Sequence, residues 1–529
     1  MESKAVKDMK LLRIGVALCL ILCLTGCSRF FSDTAGKDAT IYYHLPDVVI
    51  SIDPQTVDTF SDRAIVNALY EGLCRIDADG NLQPGVAERW EHNADYTEYT
   101  FYLNKNASWN NGDPVKAADF VFAFQRALSP DTGSNDVHDL FQIRNAKAIW
   151  QKQAEADTLG AVAVDDHTLK ISLESSDENF PYRTAKAVYM PCNRSFFEQT
   201  KGRYGLTYET SCTNGPFDFV NLYSWEERKS MNFCASSTYA GSVEVYPGYV
   251  EMTMGETGAY QDSLQALLNG DVDFAQIGGE SLDEAAVAGC TVEKIENTTY
   301  GILLNSSSGI LSIDEIRKDL FSTIDPQRVE NLTGEALATH IIPKDVMWGG
   351  TLYRDQVEAC EMPTYDPNAT AGLSELLAEN SFDSMESLTI LCADDDFSKQ
   401  IANQLIVSWN EAFGTYFNML PMSQEELQTR VLSGDYQIAL FGFTANTFDA
   451  YAFLAQIGAV CSDAQLGKML ETASSAEDFY RAEQFLLDEG LFYPVYLVDS
   501  CYAQAPGVQG IYLNRMTSLD FTGALKLKK

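Results

Sequence analysis

The sequence predicts an α/β protein whose helices and strands are interleaved along one body. Helical and extended patterns alternate between residues 40 and 529, and no repeat, low-complexity tract or proline-rich linker interrupts them. Apolar residues make up 46% of the 529 residues, which is enough for a packed core and excludes a disordered chain. At roughly 100–200 residues per domain, the length indicates about three structural units.

Hydrophobic periodicity gives the predicted elements. Residues 398–413 predict a helix, because large apolar side chains from Ile401 to Phe413 recur on one face and Gly414 follows. Further helices are predicted over 117–128, 261–269, 425–432 and 476–488, and strands over 96–103, 169–173, 272–277, 388–392, 436–443 and 491–498.

The first 26 residues predict a secretory signal peptide. Basic residues precede an apolar run from Ile14 to Leu24, which is far shorter than the ~20 residues that a membrane span needs. The sequence Leu24-Thr25-Gly26-Cys27 then resembles the lipobox of bacterial lipoproteins, which implies cleavage before Cys27 and diacylation of its thiol. We therefore expect a protein held at the extracytoplasmic face of the cell membrane by a lipid on Cys27, with residues 27–36 as a tether.

The charge balance restricts the possible partners. With 37 Lys+Arg against 75 Asp+Glu, the formal net charge is −38. So acidic a chain repels phosphate backbones and anionic lipid head groups, because binding there depends on lysine and arginine. We expect no nucleic acid partner.

The cysteines do not follow a metal-binding pattern. Nine remain beyond Cys27, and they are Cys74, Cys192, Cys212, Cys234, Cys290, Cys360, Cys392, Cys461 and Cys501. Nine is odd, so at least one thiol stays free or pairs with another molecule, and we interpret most of them as small buried apolar residues. No two lie close enough for a CxxC motif, so the sequence predicts no metal site.

Common catalytic signatures are missing from the sequence. The five histidines, at positions 44, 92, 138, 167 and 340, form no HExxH motif, and no GxSxG, SxxK, GxGxxG or GxxxxGKS/T motif occurs. A pair of carboxylates that meet only in the fold stays open, because 75 acidic residues are available. We predict a binding protein with no catalytic residues and no cofactor.

Several stretches of sequence, taken in order, carry a family resemblance. The most specific runs from Ala107 to Val115 and contains Trp109-Asn110-Asn111-Gly112-Asp113-Pro114. The others are Ser51–Pro54, Leu69–Leu73, Leu82–Trp90, Thr213–Phe217, Leu268–Asp273, Tyr365–Pro367, Ser433–Ala439 and Pro494–Tyr496. Together they resemble the extracytoplasmic solute-binding proteins of ABC transporters in the oligopeptide and dipeptide-binding family, solute-binding family 5.

This resemblance implies a two-lobed periplasmic-binding-protein-like fold of type II, cluster C, with an extra subdomain in the first lobe. The body of the first lobe would comprise residues 37–74, 195–300 and 490–529, the subdomain residues 75–194, and the second lobe residues 301–489. The ligand would bind between the lobes, which close around it through a hinge.

The function implied by the resemblance is that of the substrate-binding component of an ABC importer. Such a protein, expected here as a monomer, would capture a peptide-like solute and deliver it to the permease and ATPase subunits. Two alternatives remain open: a receptor for another solute, such as a sugar or a metal chelate, and a signalling receptor that senses a peptide.

The resemblance also implies ligand-binding residues. In the family, the segment after the strand that ends here at Phe443 lies along the ligand, and its backbone pairs with the peptide as an added strand. The matching positions are Gly442, Phe443, Thr444, Ala445 and Asn446, with Phe60 on the facing side. Trp109 and Tyr496 are further candidates, and for these two and for Phe443 the alternative is a place in the core.

One substitution bears on recognition of a peptide's N-terminus. Peptide binders of the family commonly place an aspartate four residues after the glycine that matches Gly442, and its carboxylate pairs with the α-ammonium group. This chain has Asn446 there, which can accept a hydrogen bond but supplies no charge. Asp449 could take over if the loop is shifted. Otherwise we expect a ligand without a free N-terminal amine or a different solute altogether, because a buried ammonium requires a counter-charge.

Overall fold

The computed structural model describes residues 39–57, 59–255, 262–333, 337–445, 448–473 and 475–527. The predicted signal peptide, the tether with Cys27, and Asn446 lie outside the described residues. The strands are β1 (Thr40–Leu45), β2 (Cys74–Ile76), β3 (Leu82–Pro84), β4 (Ala87–His92), β5 (Glu98–Leu103), β6 (Ala161–Asp165), β7 (Thr168–Ser172), β8 (Phe217–Phe219), β9 (Trp225–Glu226), β10 (Ser230–Ala235), β11 (Tyr249–Met254), β12 (Phe274–Ile277), β13 (Thr291–Leu304), β14 (Met347–Trp348), β15 (Thr351–Leu352), β16 (Thr389–Ala393), β17 (Asn418–Met422), β18 (Ile438–Thr444), β19 (Phe492–Gln504), β20 (Val508–Gln509), β21 (Tyr512–Asn514), β22 (Ser518–Asp520) and β23 (Leu525–Lys526). The α-helices are α1 (Phe60–Leu69), α2 (Ala117–Ala127), α3 (Ala146–Trp150), α4 (Phe180–Arg183), α5 (Arg194–Thr200), α6 (Ser263–Asn269), α7 (Leu282–Val287), α8 (Asp314–Ser322), α9 (Pro326–Thr333), α10 (Leu373–Glu379), α11 (Asp396–Phe413), α12 (Gln424–Leu432), α13 (Ala450–Cys461), α14 (Ala464–Thr472) and α15 (Ala476–Asp488).

A mixed sheet of 11 strands runs through the molecule in the order β17-β16-β18-β13-β19-β12-β1-β11-β10-β8, with β9 paired to β10. The pairs β1–β11, β16–β17 and β16–β18 are parallel, whereas β13 is antiparallel to both β18 and β19. A separate antiparallel sheet, β4-β5-β7-β6, lies within the predicted subdomain and packs against α2. The α/β class predicted from the sequence is therefore confirmed.

The buried apolar side chains form two main clusters, which correspond to two lobes. The first extends from Ile41 to Ile295 and includes the C-terminal segment from Cys501, whereas the second extends from Ile302 to Val495. Strands β13 and β19 run from one cluster into the other, and shifts in their mutual register occur at two places along the pair. These two hinge strands join the lobes of the predicted two-lobed fold. The residue boundaries of the lobes and of the subdomain stay a prediction.

Helices with clear capping signals are the best predicted elements. Helix α15 begins at Ala476 and ends at Asp488, as predicted, because Ser475 and Asp478 form a capping box at its start. Strand β19 is longer than predicted and reaches Gln504 rather than Val498. Its additional residues are held in the sheet by pairing with both β12 and β13.

The nine cysteines beyond Cys27 are free thiols in the described structure. Eight of the nine are buried, as predicted, and Cys234 is half-buried. Within the described ranges, no helix combines the length and the apolar character that crossing a membrane would require.

Candidate functional site

A cavity of about 810 Å³ lies beside the hinge strands. Its walls come from β1, β12, β13 and β19, from the start of α1 and from the segment that follows β18. Phe60 and Tyr502 line it from the first lobe, and Thr444 and Ala445 line it from the second. Residues of both lobes therefore face the same space.

Asn297, on β13, fixes the segment after β18 to the hinge. Its backbone carbonyl accepts a hydrogen bond of 2.7 Å from the Ala445 N–H, and its side-chain oxygen accepts one of 2.9 Å from the Ser500 hydroxyl. The hydroxyls of Thr298 and Thr444 are also 2.9 Å apart and share a hydrogen bond. These bonds hold Thr444 and Ala445 in one position at the cavity wall.

Among the described residues that line the cavity, Asp47 is the one carboxylate. Asp47 accepts a hydrogen bond of 2.9 Å from the Ser61 hydroxyl. Burial lowers the pKa of His44 and raises the pKa of Tyr502 to about 12, so both are uncharged at neutral pH. The described lining residues contain no lysine or arginine. This wall suits a neutral or positively charged solute better than an anion.

Strand β18 has one paired edge and one edge that is largely open in the described structure. Along the first edge it pairs with β13 over its full length, from Ile438 to Thr444. Along the second edge β16 pairs with it only at Ile438 and Ala439. The rest of that edge, Leu440 to Thr444, offers backbone groups to which an extended segment could add as a further strand.

An ion pair joins the two lobes across the cleft. Lys186 Nζ lies 2.8 Å from Asp449 Oδ2 and 2.9 Å from Asp139 Oδ1, and all three side chains are almost fully removed from solvent. Burial by itself would raise the pKa of Asp449, but the Lys186 ammonium outweighs burial and holds that pKa well below its ordinary value. We call Lys186 and Asp449 the cross-cleft pair, because Lys186 belongs to the predicted subdomain and Asp449 to the second lobe.

Aromatic contacts accompany the cross-cleft pair. The ring of His138 stacks on that of Tyr451 with centroids 3.8 Å apart, and the Arg183 guanidinium lies 4.6 Å from the centre of the Trp348 ring. Each contact joins the predicted subdomain to the second lobe. The lobes are therefore in direct contact.

The site residues predicted from the sequence do not all lie at the cavity. Phe60, Thr444 and Ala445 meet at the cavity, and Asn446 lies outside the described residues. Asp449 caps α13 by accepting a hydrogen bond of 3.1 Å from the Ala452 N–H, and it belongs to the cross-cleft pair.

The remaining predicted residues do not line the cavity. Phe443 is 3% exposed and packs edge-on against Phe441 and Phe492 in the second cluster, so its side chain is a core side chain. Trp109 is also a core residue, and its indole N–H donates to Asp119 at 3.2 Å. For these two residues the structure supports the core alternative.

Gly442 and Tyr496 belong to an aromatic group that packs against the second apolar cluster. Tyr496 stacks on Tyr300 with centroids 5.0 Å apart and planes inclined by 4°. A Cβ atom at Gly442 would lie 2.6 Å from the Tyr300 ring, so glycine is required there by close approach. This group supports the strand that carries Thr444 rather than facing the cavity itself.

Sequence reasoning missed Asn297, Ser500, Tyr502 and Lys186. The first three lie on the hinge strands, which are adjacent only in the folded sheet, and Lys186 meets its partners from distant parts of the chain. No local motif marks such residues. The unusual length of β13 and β19, each formed of more residues than the other strands, is the signal that a strand prediction could have used.

Comparison with known proteins decides the family. Residues 81–462 match the family model described as bacterial extracellular solute-binding proteins, family 5, middle. The chain belongs to this family. Its members are transport binding proteins and not enzymes, so the chain is an extracytoplasmic solute-binding protein.

Relatives extend over nearly the whole chain. The oligopeptide-binding protein OppA of Bacillus subtilis is 25% identical over 519 residues, which is 93% of either chain. The periplasmic murein peptide-binding protein MppA of Escherichia coli is 25% identical over 523 residues, or 92% of this chain and 93% of MppA. Among solved structures, Listeria monocytogenes OppA bound to peptide has a TM-score of 0.70 at 20% identity. The match covers 93% of this chain and 100% of the Listeria chain. That likeness confirms the two-lobed fold.

Proposed function

We propose that this protein is a lipid-anchored receptor that binds a peptide between its lobes and delivers it to the permease and ATPase subunits of an ABC importer. Family membership supports a transport role, and the names of relatives such as oligopeptide-binding protein OppA support a peptide ligand. The lipobox-like sequence ending at Cys27 supports the anchor. Within this proposal the protein acts as a monomer.

The observation that carries the proposal is the position of the cavity at the end of the open edge of β18. Thr444 and Ala445 line the cavity. Along the edge of β18 that faces β16, residues Leu440 to Thr444 have no strand partner in the described structure. A peptide backbone presents donors and acceptors at the spacing of a strand, so it could add to this edge. Recognition through backbone groups would accept many side chains, as an importer of mixed peptides requires.

A peptide pool tests the proposal. The purified chain is incubated with a mixture of tripeptides to pentapeptides, and the retained species are identified by mass spectrometry. The best binder is then measured by calorimetry beside versions that are N-methylated at one internal amide. Loss of one backbone hydrogen bond should weaken binding roughly 2–13-fold, from a net contribution of about 0.5–1.5 kcal/mol. Retention of no peptide, or equal binding of all N-methylated forms, would contradict the proposal.

A second candidate is a non-peptide solute that is neutral or positively charged. The specific observation in its favour is that Asp449, the alternative partner for a peptide ammonium, is already paired with Lys186. A relative from Escherichia coli that is 24% identical is named a probable deoxycholate-binding periplasmic protein, which supports a non-peptide ligand as such, although deoxycholate is an anion and this cavity wall favours a neutral or positively charged solute. Identification of a non-peptide compound that co-purifies with the chain would favour this candidate.

A further inference from the structure

Three side chains of metal-binding type meet in the second lobe, and none of them lines the 810 Å³ cavity. They are His340, Cys360 and Glu483, and their ligand atoms all lie within 4.8 Å of one another. Each comes from a different part of the chain, and only Glu483 lies on a helix, α15. The sequence predicted no metal site, because its cysteines form no CxxC motif and its histidines form no HExxH motif.

Glu483 is held in a fixed orientation. Its side chain is fully buried, and one carboxylate oxygen accepts hydrogen bonds of 2.8 and 2.7 Å from the N–H groups of Ile341 and Ile342. The other oxygen accepts from the Tyr353 hydroxyl. Burial raises the pKa of Glu483 to about 7. Metal-binding carboxylates are commonly oriented by such hydrogen bonds, and the second oxygen keeps a lone pair for an ion.

His340 supplies an imidazole that can bind a cation. Its Nδ1 atom is buried and has no hydrogen-bond partner among the described residues. Burial first, and then the charge of Arg354, lower the pKa of His340 to about 4. A buried polar atom without a partner costs free energy, which a ligand to that ring would offset.

Cys360 completes the set with a sulfur atom. It is buried, and burial raises the pKa of its thiol, so the residue is a protonated thiol without an ion. Binding of a divalent cation would form a metal–sulfur bond and release the thiol proton to solvent. Arg354 lies beside the site, but its guanidinium is paired with Glu296 at 3.1 Å. A thiolate and a carboxylate together would neutralise a divalent cation.

We propose that His340, Cys360 and Glu483 form a zinc site that fastens two loop segments of the second lobe to α15. One nitrogen, one sulfur and one oxygen ligand suit Zn²⁺ better than Mg²⁺ or Ca²⁺, which prefer oxygen alone. Tetrahedral zinc keeps its ligand atoms roughly 3.3–3.8 Å apart, so the three atoms need to approach by only about 1 Å.

Metal titration of the full chain tests the site. The protein is reduced, treated with a chelator, desalted and titrated with Zn²⁺, and bound zinc is measured by elemental analysis. Cobalt(II) is used in parallel, because a thiolate ligand gives a sulfur-to-cobalt charge-transfer band in the near ultraviolet. We expect about one zinc ion per chain, the cobalt band, and at least tenfold weaker binding in Cys360→Ser and His340→Gln.

Cys461→Ser is the matched control, because Cys461 is another buried cysteine of the second cluster and does not belong to the triplet. This variant should bind zinc as the unmodified chain does. Absence of the cobalt band in the unmodified chain would overturn the proposal even if a variant failed to fold. Zinc binding that Cys360→Ser leaves unchanged would overturn it as well, and would show an adventitious surface site instead. Neither result would affect the proposed peptide binding.

Discussion

Removal of the Asp449 charge should open the cleft. In Asp449→Asn the amide oxygen can still accept the Ala452 N–H, which is 3.1 Å from Asp449 Oδ1, so the cap of α13 is preserved. The variant loses only the charge that faces Lys186 Nζ at 2.8 Å. Lys186 keeps Asp139 as a partner at 2.9 Å, so no buried charge is left alone.

The size of the effect follows from these contacts. A hydrogen bond between charged groups contributes about 1.5–3 kcal/mol. The larger loss of about 3–5 kcal/mol, seen when a buried charge loses its only partner, does not apply because Asp139 remains. We expect the contact between the lobes to weaken by about 2 kcal/mol, which changes the ratio of closed to open molecules roughly 30-fold.

The same contacts set the dependence on pH. The pKa of Asp449 is lowered in the closed form, so its charge favours closure at all pH values above the ordinary carboxylate range near 4. This contribution is lost as the pH falls below that range and Asp449 becomes protonated. The difference in the ratio of closed to open molecules between Asp449→Asn and the unmodified chain should therefore be largest at pH 7 and should shrink in acid.

Small-angle X-ray scattering measures the opening. The radius of gyration of Asp449→Asn should exceed that of the unmodified chain at about pH 7, and the two values should approach each other as the pH falls from about 4 to about 2, where Asp449 becomes protonated in the closed form. The control is Asp463→Asn. Asp463 caps α14 by accepting hydrogen bonds from two backbone N–H groups of that helix, so this substitution alters a helix cap in the same way. Identical profiles for Asp449→Asn and the unmodified chain, or equal expansion in the control, would refute this reasoning.

Three further outcomes are expected. Free and N-acetylated forms of a bound peptide should differ by less than about tenfold, or ~1.4 kcal/mol, by calorimetry, because Asn446 carries no charge and Asp449 is already paired. A free amine preferred roughly a hundredfold would contradict this and restore ordinary recognition of the N-terminus. Cys27→Ala should abolish incorporation of labelled fatty acid, and labelling that persists would place the lipid elsewhere. Gly442→Ala should lower the thermal midpoint through a loss of about 1–3 kcal/mol, because its Cβ would lie 2.6 Å from the stacked Tyr300 ring. An unchanged midpoint would show that the ring can move aside.

The sequence predicts the helices well because their signals are local. The N-cap at Ser475 and the C-cap at Gly414 are signals that act within a few residues. Helix α15 begins directly after Ser475, and helix α11 ends directly before Gly414. Strand β19 shows the limit of this approach. Asp499 and Ser500 interrupt its apolar pattern, yet pairing with β13 keeps them in the strand, and the residues from Cys501 onward pair with β12 as well. The C-terminal end of β19 is set by pairing with other strands, and the residue pattern of a single sequence does not show that pairing.

The candidate site is predictable only in part for the same reason. Thr444 and Ala445 were predicted as ligand-binding positions because they belong to a continuous segment that resembles the family, and both line the cavity. Phe443 lies next to them, but side chains alternate along a strand, so its ring points to the core of the second lobe. Lys186 was missed because its partners, Asp139 and Asp449, come together only in the fold.

The central position of β19 in the large sheet has a consequence for the order of folding. This strand comes from the last part of the chain, yet it lies between β12 and β13 and contributes to the cores of both lobes. A nascent chain that has not yet reached Phe492 would leave one edge of β12 and one edge of β13 unpaired. Contacts between such distant segments form slowly, because a long loop must close first. Neither lobe can therefore complete its sheet until residues 492–504 have been synthesised, and this one strand completes both sheets at once.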